Sequence, residues 1–110
     1  MYATRVFDPI NAGLIESAKY PGLFYEIATQ GKKQITYYYN TNGQIHNLSG
    51  PAIVTTIDGV VTDQKFVKAG NDYTSIVNEL KAANVLELIP TDNGEFVFSE
   101  SDLFTIGIAV

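Results

Sequence analysis

The residue best suited to chemistry is His46, the one histidine of this 110-residue chain. Imidazole titrates near physiological pH, so His46 is the natural candidate for acid–base work. It stands without a nucleophilic constellation, since a serine or aspartate triad would need this same histidine as its base. The carboxylates Glu26, Asp63 and Glu79 are candidates for a paired-acid hydrolytic site if the fold gathers them. The chain has no cysteine, which removes thiol chemistry, disulfides and most structural zinc sites. Asp92-Asn93-Gly94-Glu95 carries the residue types of a calcium loop without its ligand spacing, and it reads as a turn. Glycine-rich phosphate loops are absent. No metal and no cofactor is therefore expected. The competing role for His46 is structural, its ring nitrogens satisfying backbone groups around Gly50-Pro51 and holding the turn. The sequence favours this second role, and the chain is read as not an enzyme.

The elements around His46 follow from turn chemistry. Aromatic and β-branched residues suit a pleated, half-buried surface, so Gln34 to Tyr39 reads as a strand. Asn40-Thr41-Asn42-Gly43 reverses it, by a type I′ turn centred on Asn42-Gly43 or a type I turn with a glycine bulge. Gln44-Ile45-His46 is the expected return strand, and Gly50-Pro51 breaks it. Ala52–Ile57 and Val60–Lys68 then form strands about the Asp58-Gly59 turn. Upstream, Leu23–Thr29 and Gln34–Tyr39 are a predicted hairpin.

The stretch Gly43-Gln44-Ile45-His46-Asn47-Leu48-Ser49-Gly50-Pro51-Ala52-Ile53 resembles a G-x-[IL]-H-x-x-x-G-P-A module of small uncharacterised proteins of tailed bacteriophages. The resemblance covers about Ile35 to Leu80, including the preceding tyrosine strand, the Asp58-Gly59 turn and a closing helix. It departs at Asn47-Leu48-Ser49, where the group carries a basic and then acidic residues. It implies a β-meander in which Gly43, His46, Gly50, Pro51 and Ala52 form one structural unit. It implies a phage origin more than an activity.

At the N-terminal end, Met1–Phe7 reads as a strand. Asp8-Pro9 is a helix-start signal, and Ile10, Leu14, Ile15 and Ala18 recur at helical spacing, predicting a helix over Pro9–Lys19 ended by Pro21-Gly22. A second helix is predicted over Ser75–Ala83, capped by Asp72 or Thr74 and ended by Asn84, with Ile76, Val77, Leu80 and Ala83 as its buried stripe. Val85–Ile89 reads equally as a last helical turn or a strand. Glu95–Ser99 and Leu103–Val110 read as further strands about a turn at Pro90–Gly94. The uncharged run from Leu103 would be an aggregation hazard as a free edge, so it is expected in the sheet centre or under a second copy of the chain. A homodimer is one expected outcome.

Hydrophobic residues make up 45% and charged residues 17% of the chain, which places it among folded proteins. The length sets one domain over residues 1–110. The expected fold is α+β, a curved antiparallel β-meander of about six to eight strands with two short helices packed on it. The net charge of −5 argues against direct nucleic-acid binding, which needs cations to displace phosphate counterions. No apolar run is long enough for a membrane helix, and the expected location is the cytoplasm of a bacterial host.

Glu87, Asp92, Glu95, Glu100 and Asp102 gather toward the C-terminal end. With Asp72 and Glu79 they could form an acidic face on which carboxylates stand in for phosphates, or act as ordinary solubilising charge. Tyr37 and Tyr39 should share one sheet face and Tyr38 the other. Tyr38 is the candidate for interface contact and its two neighbours for the core. The preferred function is a non-catalytic phage-type accessory protein that binds, and can inhibit, a host defence or nucleic-acid-processing enzyme. The rivals are a self-assembling virion component and a small enzyme using His46.

Overall fold

Alternating side chains and tight turns build the main sheet of the computed structural model, which describes residues 7–110. The elements are β1 (Ile15–Glu16), β2 (Phe24–Gln30), β3 (Lys33–Tyr39), β4 (Ile53–Ile57), β5 (Val60–Lys65), β6 (Val67–Lys68), β7 (Asn71–Asp72), α1 (Thr74–Ala82), β8 (Ile89–Pro90), β9 (Phe96–Val97) and α2 (Glu100–Ala109). Strands β1 to β5 form one antiparallel sheet in chain order, and β6–β7 and β8–β9 are separate two-stranded ladders. This is the expected α+β meander, with nine strands among the described residues, five of them only two residues long. The predicted strand over Met1–Phe7 falls almost wholly outside the described residues.

The hairpins form where turn residues were read. The β2–β3 ladder pairs Phe24 with Tyr39 through Gln30 with Lys33. After β3, the Gly43 N–H donates to Asn40 O (3.1 Å) and the Asn40 N–H to Gln44 O (2.9 Å). Of that turn only Gly43 has positive φ, at +80°, which selects the type I turn with a glycine bulge. Asp58 and Gly59 both have positive φ, the backbone of a type I′ turn. On β5 the register passes from Thr55–Asp63 to Thr56–Val61 and leaves Thr62 as a bulge.

Several predicted elements differ from the structure, among them the strand over Val60–Lys68, which divides into β5 and β6 of separate sheets. The helix over Pro9–Lys19 is a single turn. Asp8 Oδ1 accepts from the Ile10 N–H (3.1 Å), but Gly13 at φ +87° ends the turn. Ile15 and Glu16 then pair with Tyr25 and Phe24 along the open edge of β2. The return strand Gln44–His46 is one bridge, Tyr39–Ile45. Beyond it the chain turns to β6, where the Asn47 N–H donates to Val67 O (2.9 Å).

The strand over Leu103–Val110 is the helix α2. Ser99 and Asp102 form a reciprocal capping box, and Glu100 and Asp102 place negative charge in its first turn. A uniformly apolar run carries no period that separates a buried strand from a helix, so the cap decides. The run from Leu103 is therefore neither a central nor an edge strand. The strand predicted over Glu95–Ser99 shrinks to β9 because Ser99 already belongs to this cap. Helix α1 starts and ends one residue earlier than predicted. Tyr73 holds its N-cap position, and Asp72 Oδ1 instead accepts the Thr74 N–H (2.8 Å). Asn84 ends it at φ +58° as expected, while Ala83 is exposed. No helix among the described residues is long and apolar enough to cross a membrane.

Two core clusters result. Phe66, Tyr73, Val77, Leu86, Leu88, Phe98 and Ile106 pack between the helices and the short ladders. Tyr20, Tyr38 and Val54 pack on one face of the large sheet, with Tyr25, Val61 and Val97 against them. Register puts Phe24, Ile35, Tyr37, Tyr39 and Ile53 on the other face. None of these five belongs to either cluster. The radius of gyration is 15.0 Å, with extents of 53 × 38 × 22 Å, against about 13 Å for a compact chain of this length. The excess is the sheet, which extends beyond the layer that covers it.

Asp102 ties α2 to the rest. Its Oδ1 accepts the Glu87 N–H (2.7 Å), and its Oδ2 accepts those of Leu88 (2.8 Å) and Ser99 (3.1 Å). Burial pushes this carboxyl up, but the backbone donors of Glu87, Ser99 and Leu88 outweigh it and hold the group below its usual value. Asp102→Ala leaves three N–H groups without their acceptor, and chemical denaturation should show a loss of about 3 kcal/mol. The sign for pH follows. The contribution is complete above the unfolded value of about 3.9 and is lost as pH falls through the lowered folded value. Acid titration of Asp102→Asn, followed by melting temperature, should therefore show a shallower decline than that of the unsubstituted protein.

Candidate functional site

The segment His46–Ala52 leaves the large sheet and crosses to the short ladders, and it does so by burying a polar residue. Asn47 is fully enclosed. Its Nδ2 donates to Pro51 O (2.9 Å) and its Oδ1 accepts the Ser49 N–H (2.8 Å), so one side chain closes the loop. Its own carbonyl accepts the Tyr73 hydroxyl (3.0 Å) from the start of α1. Pro51 and Ala52 are buried beneath it.

His46 holds a different backbone group from the one expected. Its Nδ1 accepts the Ala69 N–H (2.9 Å), between β6 and β7, and the loop at Gly50-Pro51 is held by Asn47 instead. Ala69 lies at φ +46°, an unfavourable backbone for a residue with a Cβ, and the imidazole helps fix it. With Nδ1 as acceptor, the ring proton of the neutral form sits on Nε2. Burial, then the neighbouring Lys68, lowers the pKa of His46 below its usual value. The nitrogen that could act as a base is thus already engaged.

Gly50 is explained by close approach. Its φ is not positive, yet a Cβ there would meet the Tyr20 hydroxyl oxygen at 2.6 Å. Tyr20 is buried, packed edge to face on Tyr38 with ring centroids 5.1 Å apart. Its hydroxyl has no hydrogen-bond partner among the described residues. The Asn47 amide lies near enough to lower its pKa slightly, but burial and then Glu95 raise it well above the normal phenol value. Gly43, also of the motif, has both its positive φ and the Phe7 ring 3.0 Å from where a Cβ would stand.

A groove of about 440 Å³ runs beside this segment, lined by Lys19, Tyr20, His46, Asn47, Ser49 and Phe98 among others. Lys19 at its rim is ion-paired with Glu95. Of the groove's ionisable groups, Lys19 is thus paired and the His46 Nδ1 is bound to the Ala69 N–H.

The predicted contact residues divide by burial. Glu87, Asp92 and Glu100 are exposed. Glu95 is only 3% exposed and Asp102 is fully buried, so neither can touch a partner. Glu95 is enclosed and pairs with the exposed Lys19, and Asp102 caps α2. Glu95 and Asp102 therefore drop out of the acidic face, while Asp72, Glu79, Glu87, Asp92 and Glu100 remain exposed. Tyr38, the interface candidate, is a core residue at 8% exposure, its pKa pushed up to about 12 by burial and then by Glu95. Tyr37 and Tyr39 are the half-exposed pair on the opposite face. The carboxylates of Glu26, Asp63 and Glu79 do not gather. Glu26 and Asp63 lie on β2 and β5 with two strands between them, and Glu79 is on α1.

The sequence reading missed the outer side of α2. Phe104 is 74% and Ile108 75% exposed, with Leu103 beside them. Glu100 precedes Phe104 by four residues and shares its stripe. Glu87 joins the acidic end, its Oε1 accepting from the Ser101 hydroxyl at 3.4 Å. The signal was present in the Ser99-x-x-Asp102 cap, which turns the apolar run into a helix too uniform to bury on one side.

Two predictions follow from the junction. Gly50→Ala should cost about 2 kcal/mol by overpacking against Tyr20. Tyr20→Phe, which removes the unpartnered hydroxyl, should be neutral or stabilising. In the double variant the Gly50→Ala penalty should shrink, and a thermodynamic cycle of denaturation free energies reads that coupling. Secondly, the lowered His46 pKa means that its contribution is complete above about pH 6.5, the unfolded value, and is lost as pH falls through the folded value. Melting temperatures of the unsubstituted protein and His46→Gln should therefore converge as the medium is acidified. No family model, no curated protein and no solved structure matches this chain.

Proposed function

We propose that this protein is a non-catalytic binding module, an accessory protein of the tailed-phage type that engages a host protein through the outer side of α2. The observation that carries this reading is the stripe Glu100–Phe104–Ile108, in which two large apolar side chains about three-quarters exposed follow an acidic end. A helix apolar all round is normally enclosed, and here the outer side has no cover among the described residues. The partner that fits is a protein with an apolar groove and a basic group at one end, opposite Glu100 and Glu87. The phage-like module at Gly43–Ile53 supports a host protein as the target, a defence or nucleic-acid-processing enzyme in particular. Inhibition would follow where α2 fills a groove that the enzyme needs. Use of His46 in catalysis is less supported, because its acceptor nitrogen is bound to Ala69. A self-assembling role draws its support from the uncovered sheet face.

The test is a tagged pull-down from bacterial lysate at moderate salt, run in parallel with Phe104→Glu and Ile108→Glu. Both side chains are exposed, so melting temperature should change little. A stoichiometric partner held by the unsubstituted protein and lost by both variants is the expected result. Equal capture by all three would overturn the role of α2.

A further inference from the structure

We propose that the uncovered face of the five-stranded sheet is a self-complementary interface on which a second copy of this chain packs face to face. The register places its side chains on a grid. One row across β2, β3, β4 and β5 reads Glu26, Tyr37, Ile53, Lys65. The next reads Ala28, Ile35, Thr55, Asp63, and the next Gln30, Lys33, Ile57, Val60. The first row has opposite charges at its two ends and an apolar pair between them. A two-fold axis parallel to the strands, passing between β3 and β4, lays this row on its own reverse. Glu26 then faces Lys65 of the other copy at both ends, and Tyr37 faces Ile53 twice. The same operation sets Ala28 against Asp63 and Lys33 against Ile57, so no row opposes like charges.

This is the property that selects a second copy over an unrelated protein. A two-fold interface must be complementary to itself, and a row with reversed ends is. The need for cover is independent of the charges. A sheet with one half-apolar face left open is half of a layered structure, and a second sheet at about 10 Å in aligned packing is the usual completion. Ile57 and Val60 are exposed on this face, and its tyrosines belong to neither core cluster. The α2 stripe is not part of the grid, so this interface stands or falls separately from the binding role proposed for α2.

Sedimentation of the purified protein over a concentration series tests it. A reversible dimer of the 12.0 kDa chain is expected. Glu26→Lys and Lys65→Glu, both at exposed positions, should each weaken it at least about tenfold by opposing like charges. The double variant, with the row reversed, should recover it. A second variant fixes the register independently. The chain has no native cysteine, and Glu26→Cys/Lys65→Cys places thiols about 14 Å apart within one copy, from three strand spacings. That is too far for an internal disulfide. Facing thiols of two sheets about 10 Å apart stand closer than this but still beyond direct disulfide reach, so a short bifunctional thiol reagent should give covalent dimers and no internal bridge. A monomer at every concentration, or a dimer indifferent to both single charge reversals and not crosslinked by the cysteine pair, would overturn the proposal.

Discussion

Four hydrogen bonds converge on Asn47, and the two halves of the molecule meet there. Its backbone N–H reaches β6, its carbonyl receives Tyr73 at the head of α1, and its side chain closes the loop that returns the chain to β4. A buried amide is costly unless its donors and acceptors are satisfied, and here they are satisfied by three separate parts of the chain. Loss of any one partner leaves the others badly placed. The short crossover from sheet to helical layer depends on this one residue more than on any apolar contact. His46, its neighbour, supports the same crossover by holding Ala69 in an unfavourable backbone conformation.

The parts of the fold that were legible in the sequence are those decided locally. Asp58-Gly59 and Asn40–Gly43 specify their turns by backbone preference, so the hairpins around them could be placed with little error. Helix α1 was legible because its apolar spacing and the Asn84 stop agree. The parts that were not legible are decided by competition. Ile10, Leu14 and Ile15 have helical spacing, but the unpaired edge of β2 offers Ile15 and Glu16 a ladder that a helix would forgo. The run from Leu103 has no period at all, and only the capping box upstream of it distinguishes helix from strand.

The candidate site was legible as a position and not as a set of roles. His46, Gly50, Pro51 and Ala52 do form one unit, yet Asn47 organises it, and nothing in the identity of an asparagine announces that it will be enclosed. Glu95 and Asp102 mislead in the same way. A carboxylate read from sequence is assigned to water, whereas one that meets Lys19 and one that meets three backbone N–H groups can be buried without a large penalty. Tyr37 to Tyr39 were correctly divided between faces, but which face is inward depends on Tyr20 and Val97, far away in the chain.

The Thr62 bulge sets the phase of the whole edge strand. A regular ladder counted back from the Asp58-Gly59 turn would bring Asp63 opposite Val54 and Lys65 opposite Ala52, into the core. The extra residue shifts the count by one, so both charges turn outward and Gln64 turns inward, where its side chain bonds both polar groups of the Phe96 backbone. The gene therefore carries a spacer whose length matters more than its identity. Exchanging threonine there for another residue is a minor event. Gaining one more residue between Val61 and Asp63 would be a change of parity, and it would bury two opposite charges in a single step.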